Sequence, residues 1–61
     1  MSQLLTVVES ARELRLSVFT IRSWIYSKRI PCVRLGRRVL LRREDLEKLV
    51  NDNLVEAKNR E

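Results

Sequence analysis

The sequence contains no histidine and only one cysteine, one proline and one glycine among its 61 residues. The lack of histidine and the single Cys32 exclude a disulfide framework and a structural zinc site of the usual Cys/His kind. No apolar run approaches the roughly 18 residues of a membrane span, and residues 1–10 lack the basic start and long apolar stretch of a signal peptide. We therefore expect a cytoplasmic protein that uses no metal and no other cofactor.

A catalytic function is not expected either. A chain of this length buries only about 60% of the surface that its unfolded form exposes, which leaves no room for an enclosed active-site cavity. Cys32 lies in a predicted strand without an evident base beside it, and the acidic residues cluster on a predicted solvent-exposed helix. These features favour a binding function over an enzymatic one.

The net charge of +5 is unevenly distributed along the chain. Residues 12–43 contain ten Arg or Lys and one acid, whereas residues 44–61 contain six acids and three bases. Basic residues that served solubility alone would be mixed with acidic ones. A segregated cationic block is typical of a protein that binds a polyanion, and the alternative is a solvated basic face without a partner.

Two helices are predicted in the first half of the chain. Thr6 and Glu9 have the spacing of a capping box and precede a narrow apolar face, which predicts a helix over about residues 7–14. Ser17 is a good N-cap for a second helix over about residues 18–27. Two helices joined by so short a connection are typical of a helix-turn-helix.

The outer face of the second predicted helix is unusual. Its core-facing positions are Ile21, Trp24 and Ile25. The opposite side carries two aromatic residues, one basic residue and one hydroxyl residue: Phe19, Arg22, Ser23 and Tyr26. This mixture suits the major groove of DNA, where Arg bridges guanine acceptors and Phe contacts a thymine methyl group. Alternatively, the aromatic side chains fold back onto the core or bind a second protein chain.

A β-hairpin is predicted over about residues 32–41, because apolar residues occupy alternate positions on both sides of Gly36. Register tends to follow the hydrophobic pattern, so we expect the apolar residues of both strands to share one face. The expected pairs are Val33 with Leu41 and Leu35 with Val39. A two-residue turn at Gly36-Arg37 would mix the faces and is disfavoured on that ground.

The predicted hairpin loop consists of Gly36, Arg37 and Arg38. Glycine reverses the chain direction at low steric cost, and two guanidiniums on a projecting tip can straddle a phosphate backbone or enter a narrow minor groove. Beside a helix-turn-helix, such a hairpin is a wing. The same register directs Arg34 outward.

A third helix is predicted over about residues 44–57. Acidic residues in its first turn complement the helix dipole, and an apolar stripe begins at Leu46. Leu54 and Val55 either extend this stripe or present a contact to another copy. The expected fold class is mainly α with a small β-hairpin, that is, a winged helix-turn-helix with a two-stranded wing in a single domain over residues 1–61.

Several segments carry a family resemblance: "LLTV" opening the first helix, "TIRSWI" in the second, "RIP" before the hairpin, "VRLGRR" at the wing and "REDLEKLV" in the third helix. Together, over about residues 4–50, they resemble the excisionase-type DNA-binding domain, a small winged helix-turn-helix related to the MerR regulators. Two positions depart from the family pattern. Arg15 stands where the interhelical turn usually has glycine, and Glu13 stands where an apolar residue is common. The turn must therefore accommodate a side chain in a strained or altered conformation.

The resemblance implies a recognition helix over about residues 18–27 in the major groove and a wing on the minor groove or backbone. Members of the family act as recombination directionality factors, which bind near an attachment site, bend DNA and favour excision of a phage or integrative element. Other members are small transcription regulators. The implied partners are double-stranded DNA, further copies on adjacent sites and an integrase, in a nucleoid-associated location.

The residues expected to contact DNA come from the second helix, its C-terminal end and the hairpin: Ser17, Val18, Phe19, Thr20, Arg22, Ser23, Tyr26, Lys28, Arg34, Arg37 and Arg38. Arg22, Ser23 and Phe19 are expected to discriminate between sequences. Thr20, Lys28 and the hairpin arginines are expected to fix the register on phosphates.

Two other binding functions are alternatives. A protein-interaction module would use Phe19 and Tyr26 to bind another protein, while the arginines steer it to an acidic partner. RNA binding is disfavoured, because the sequence offers no set of strand aromatics for the stacking platform common in such domains.

Overall fold

The computed structural model describes residues 3–57, in which three α-helices and three short β-strands occur. In chain order they are β1 (Leu4–Thr6), α1 (Val7–Leu14), α2 (Val18–Tyr26), β2 (Val33–Leu35), β3 (Arg38–Arg42) and α3 (Arg43–Asp52). The strands form one antiparallel sheet in the order β1-β3-β2. This architecture is a winged helix-turn-helix, as predicted. Residues 1–2 and 58–61 of the predicted domain lie outside the described part.

Helix α1 begins with the predicted capping box. The Thr6 hydroxyl accepts a hydrogen bond from the Glu9 backbone N–H at 3.0 Å, and the Glu9 carboxylate accepts one from the Thr6 backbone N–H at 2.9 Å. Ser10 is fully buried, and its hydroxyl donates to the Thr6 carbonyl at 2.8 Å. Because Ser10 and the buried Ala11 are small, α2 can pack closely against this side of α1.

The hydrophobic core receives side chains from every layer of the fold: Leu5, Val7, Ala11, Ile21, Ile30, Leu41 and Leu46. Ser17 caps α2 as predicted, since its hydroxyl accepts a hydrogen bond from the Thr20 backbone N–H at 3.0 Å. Ile21 is completely buried, and Trp24 and Ile25 are half-buried against the core. The predicted inward face of α2 is thus confirmed.

Residues 4–6 form a strand that the sequence pattern does not reveal. The pattern places them at the opening of the first helix, but in the structure they form β1 at one edge of the sheet. Leu5 lies opposite Leu41 of β3, and opposing residues of an antiparallel pair project to the same face. Both side chains are buried, so the wing sheet has three strands and not two. A strand of three residues shows too little periodicity to be recognised.

The register of the β2–β3 hairpin differs from the predicted one. The observed pairs are Val33 with Leu40, Arg34 with Val39, and Leu35 with Arg38. The predicted three-residue loop is therefore wrong, and Gly36 and Arg37 form a two-residue turn. Gly36 has a φ of 60°, and a type II′ turn, whose twist matches that of the strands, has glycine at this first central position. Turn geometry, and not the hydrophobic pattern, determines the register.

This register exchanges the two faces of β2, since a slip of one residue turns every side chain of a strand to the other side. Arg34, which was predicted to point outward, shares the core-side face of the sheet with Val39 and Leu41. Leu35 lies on the opposite face and is 53% exposed. An arginine thus enters the angle between the sheet and the helices.

Helix α3 spans Arg43–Asp52 and ends five residues before the predicted end at residue 57. Leu54 and Val55 lie beyond it and are exposed, so they do not extend its buried stripe. Without packing partners, a further helical turn gains little stability. At the N-cap position, Arg42 makes no side-chain cap and instead donates two hydrogen bonds to Asp45, at 2.7 and 2.9 Å.

Arg15 occupies the interhelical turn in the left-handed conformation, with φ 58° and ψ 40°. Its backbone N–H donates to the Arg12 carbonyl at 3.3 Å, and the Leu16 N–H donates to the Ala11 carbonyl at 2.9 Å. These bonds close α1. A residue with a Cβ atom in this conformation costs roughly 1–2 kcal/mol. The strained turn that was expected from Arg15 in place of glycine is therefore present.

Glu13, the other departure from the family pattern, joins α1 to α3. Its carboxylate accepts two hydrogen bonds from the Arg43 guanidinium, at 2.9 and 3.0 Å. Arg43 also donates from Nε to the Gln3 side chain at 2.9 Å. The hydrogen bonds and the positive charge of Arg43 lower the pKa of Glu13, and the same contacts raise the pKa of Arg43. An apolar residue at position 13 would lack this connection.

The variant Arg15→Gly should stabilise the protein by roughly 0.5–1 kcal/mol. Glycine removes the left-handed strain, while its greater freedom in the unfolded chain offsets roughly 0.4–1 kcal/mol of the gain. Urea denaturation followed by circular dichroism measures the change. Arg15→Ala is the matched control, because it removes the same charge but keeps a Cβ atom. Equal stability of the two variants would show that the turn is not strained.

The variant Glu13→Gln should lower the free energy of unfolding near neutral pH, and the loss should shrink in acid. Because the folded-state pKa of Glu13 is depressed, its ionised carboxylate stabilises the folded protein fully above the unfolded-state pKa of about 4.3. That contribution is lost as the pH falls through the folded-state value. Urea midpoints of both proteins at neutral and acidic pH give the two differences.

Glu56→Gln serves as the control, since Glu56 is exposed and has no ion pair within residues 3–57. It should be close to neutral at both pH values. A loss in Glu13→Gln that did not change with pH would contradict a stabilising ion pair with Arg43.

Candidate nucleic-acid interface

The outer face of α2 projects two aromatic side chains away from the core. Phe19 is 83% exposed and Tyr26 is 90% exposed. Arg22 and Ser23, on the same side, are also exposed. The alternative in which the aromatic side chains fold back onto the core is therefore wrong, and the face is open to a partner.

The first turn of α2 serves mainly to start the helix. Ser17 is exposed and caps the Thr20 backbone N–H, and the two hydroxyl oxygens lie 2.9 Å apart. Val18 is half-buried against the core. Of these three predicted contacts, Ser17 is thus the most accessible and Val18 mainly contributes to packing.

The wing presents its arginines at and beside the turn. Arg37 lies in the two-residue turn and Arg38 begins β3, and both are exposed. A Cβ atom added to Gly36 would meet no atom within 4 Å. Glycine is therefore favoured there by its positive φ and not by crowding, and the tip of the wing stands clear of the rest of the fold.

A cleft between α2 and the wing brings together residues that were predicted separately. Its volume is about 230 Å³. The lining residues are Val7, Arg22, Ile25, Tyr26, Arg34 and Val39. Arg34 reaches the cleft because it lies opposite Val39 on the core-side face of the sheet. Sequence reasoning missed this convergence, although the glycine at the first turn position is a signal for the register that produces it.

The cationic block divides into a paired part and an unpaired part. Within residues 3–57, the ion pairs involve Arg42, Arg43 and Lys48. Arg42 donates hydrogen bonds to Asp45, Lys48 donates one to Asp52, and these bonds raise the pKa values of the two cations. In that same range, one arginine of α2 and three arginines of the hairpin have no carboxylate partner: Arg22, Arg34, Arg37 and Arg38. Four of the cations unpaired in this range thus lie on α2 and the wing, while Arg12 on α1 and Arg15 in the interhelical turn are also exposed and unpaired there.

Two further cations follow α2. The Arg29 guanidinium lies 5.7 Å from the centre of the Trp24 ring, which is within the range of a cation–π contact. Lys28 is exposed, with a φ of 63°. Arg29 is thus engaged with the protein itself, while Lys28 extends the cationic surface at the end of the helix.

Three remaining observations concern metal binding, the single cysteine and membrane crossing. Within residues 3–57, no three His, Cys, Asp or Glu side chains are grouped so that they could hold a metal ion. Cys32 is free and half-buried. None of the helices in this range has the length and apolar content that crossing a bilayer requires.

The arrangement from β1 to α3 corresponds to a known family. No curated protein and no solved structure matched the chain. A family model described as a helix-turn-helix domain, however, matches residues 4–54. The match includes every strand and helix of the described structure and thus the whole surface formed by α2 and the wing. The chain therefore belongs to the helix-turn-helix domain family, and this membership indicates DNA binding.

Proposed function

We propose that the protein binds double-stranded DNA at specific sequences as an excisionase-like recombination directionality factor. The observation that carries the proposal is the set of exposed arginines on α2 and the wing that have no carboxylate partner within residues 3–57. Such a surface attracts a polyanion. The helix-turn-helix family, whose members bind DNA, favours DNA as that polyanion.

In this proposal α2 is the recognition helix, as the family resemblance implies, and it enters the major groove. Arg22, Ser23 and Phe19 are exposed on its outer face and supply base contacts, each good contact contributing about 1–3 kcal/mol of discrimination. Tyr26 and Lys28 stand at the C-terminal end of the helix, where the sugar–phosphate backbone borders the groove. Ser17 and Thr20 approach the backbone at the other end.

The wing is proposed to lie on the minor groove or on the adjacent backbone. Arg37 and Arg38 are exposed at its tip, and guanidiniums are favoured by the enhanced negative potential of a narrow minor groove. These contacts fix the position of the protein on the duplex without reading its sequence.

The family resemblance supports the directionality role, and the small size of the domain favours binding by several copies. A single module of this kind buries only about 600–1,000 Å² of protein surface on DNA, which limits the affinity of one copy. Several copies on neighbouring sites, helped by one another or by an integrase, would supply the remaining affinity. DNA bent between adjacent copies would favour excision. A small transcription regulator of the same fold is the alternative.

Replacement of Arg37 and Arg38 together by Ala should weaken binding to all duplexes and flatten its salt dependence. Each lost phosphate contact should reduce the slope of log K against log salt by about 0.9. Fluorescence anisotropy titrations at several salt concentrations measure the slope. As a control, Lys48→Ala removes a cation of α3 that is paired with Asp52 and should leave the slope unchanged. An unchanged slope in the double variant would exclude the wing from the interface.

The directionality role is tested in a recombination assay with an integrase encoded next to the protein in its genome. Addition of the protein should increase excision between attachment sites and decrease integration, and its footprint should lie beside an attachment site. The Arg37→Ala, Arg38→Ala double variant should lose the effect in proportion to its lost binding. Protection of a promoter, with both recombination rates unchanged, would instead identify a transcription regulator.

A further inference from the structure

We propose that the cleft between α2 and the wing binds one phosphodiester of the DNA strand that separates the major groove from the minor groove, with the attached deoxyribose against the floor of the cleft. The inference rests on the proposed function, since it requires α2 in one groove and the wing at the other. It places Arg34 on a phosphate between the two grooves, whereas the wing tip lies on the minor groove or on the backbone beside it.

The cleft has an apolar floor and a polar rim. Val7 is buried, and Ile25 and Val39 are half-buried, so the floor offers an aliphatic surface. Arg22, Tyr26 and Arg34 are exposed and form the rim around a volume of about 230 Å³. A ligand that matches this cleft is anionic at one end and weakly polar at the other.

The charge of the rim favours an anion. Neither Arg22 nor Arg34 belongs to an ion pair within residues 3–57, although both line the same small cleft. Because both arginines line this cleft, an anion bound in it would be attracted by each of them. Arginine binds phosphate oxygens with two parallel hydrogen bonds, which makes phosphate a suitable anion.

The position of the cleft identifies the phosphate as one of the DNA backbone. Where a protein places a helix in the major groove and a neighbouring hairpin at the minor groove, a sugar–phosphate strand must pass between the two elements. The cleft lies at that passage, because α2 forms one wall and β2 and β3 form the other. A sugar–phosphate unit has the required chemistry, with phosphate for the rim and deoxyribose for the floor.

Each rim residue then has a distinct role. Arg34 donates to the phosphate oxygens from the wing side, and the Tyr26 hydroxyl donates from the helix side. Arg22 adds positive potential while its position on the outer face of α2 leaves it free to reach bases. A single phosphate held by both elements sets the position of the recognition helix relative to the wing.

The experiment uses a duplex that contains the footprinted site, with one backbone phosphate at a time replaced by an uncharged methylphosphonate. For wild type, several backbone positions should be sensitive, and the one that lies in the cleft should show a loss of binding of roughly 10- to 100-fold, as expected when a hydrogen bond to a charged group is lost. In Arg34→Ala this position should become insensitive, while the other sensitive positions remain. Arg37→Ala is the matched control and should keep the sensitivity at the cleft phosphate.

The variant must be folded for the comparison to hold, so circular dichroism and thermal denaturation accompany it. Arg34→Lys, which keeps the charge but not the paired hydrogen bonds, should retain part of the sensitivity. An Arg34→Ala profile that is uniformly weaker but unchanged in pattern would overturn the inference. A second result would also overturn it. If Arg34→Ala lost sensitivity to replacement of a guanine by 7-deazaguanine, and not to replacement of a phosphate, Arg34 would be assigned to a base.

These outcomes are separate from failure of the proposed function. If the wild-type protein did not bind duplex DNA even at low salt, the proposed function and this inference would both be wrong. Binding with an unchanged phosphate profile in Arg34→Ala would overturn the inference alone.

Discussion

Strand β3 is paired along both of its edges, and the positions of α1, α3 and the wing follow from this double pairing. One edge holds β1, which leads directly into α1 at Val7, and the other edge holds β2. The strand itself continues into α3 at Arg43. Leu41 at its centre is completely buried opposite Leu5. Burial of this apolar pair therefore holds β1 against β3, and with them the helices and the hairpin that are attached to these strands.

The sequence predicted the features whose causes lie within a few residues of one another. The caps at Thr6 and Ser17 formed as expected, because a cap needs only a side chain and a backbone N–H three residues away. Strand β1 depends on pairing with the distant strand β3, which no local pattern reveals. The hairpin register depends on turn geometry, so hydrophobic alternation alone gave the wrong partners. At Gly36 a local signal did exist, since a two-residue turn of this type prefers glycine first.

The same distinction applies to the candidate interface. The exposed face of α2 follows from helical periodicity, because residues opposite Ile21 must leave the core. The cleft does not follow from periodicity, because Arg34 reaches it only through the observed register. Nor did the sequence reveal that Arg43 is held by Glu13, 30 residues away. Glu13 was recognisable only as an unexpected residue, and its partner depends on the folded chain, which brings the start of α3 to Glu13.

Burial distinguishes the paired arginines at the start of α3 from the two arginines of the cleft, whereas the pair of Lys48 with Asp52 lies on the exposed surface. Arg42 and Arg43 are half-buried beside the core, and both are bound to carboxylates of the same chain. An unpaired charge in such a place is costly, because it loses water without gaining a partner. Arg22 and Arg34 are exposed, and water and salt weaken their mutual repulsion at little cost to the fold. The burial pattern that stabilises the domain thereby leaves the charges of Arg22 and Arg34 accessible to a ligand.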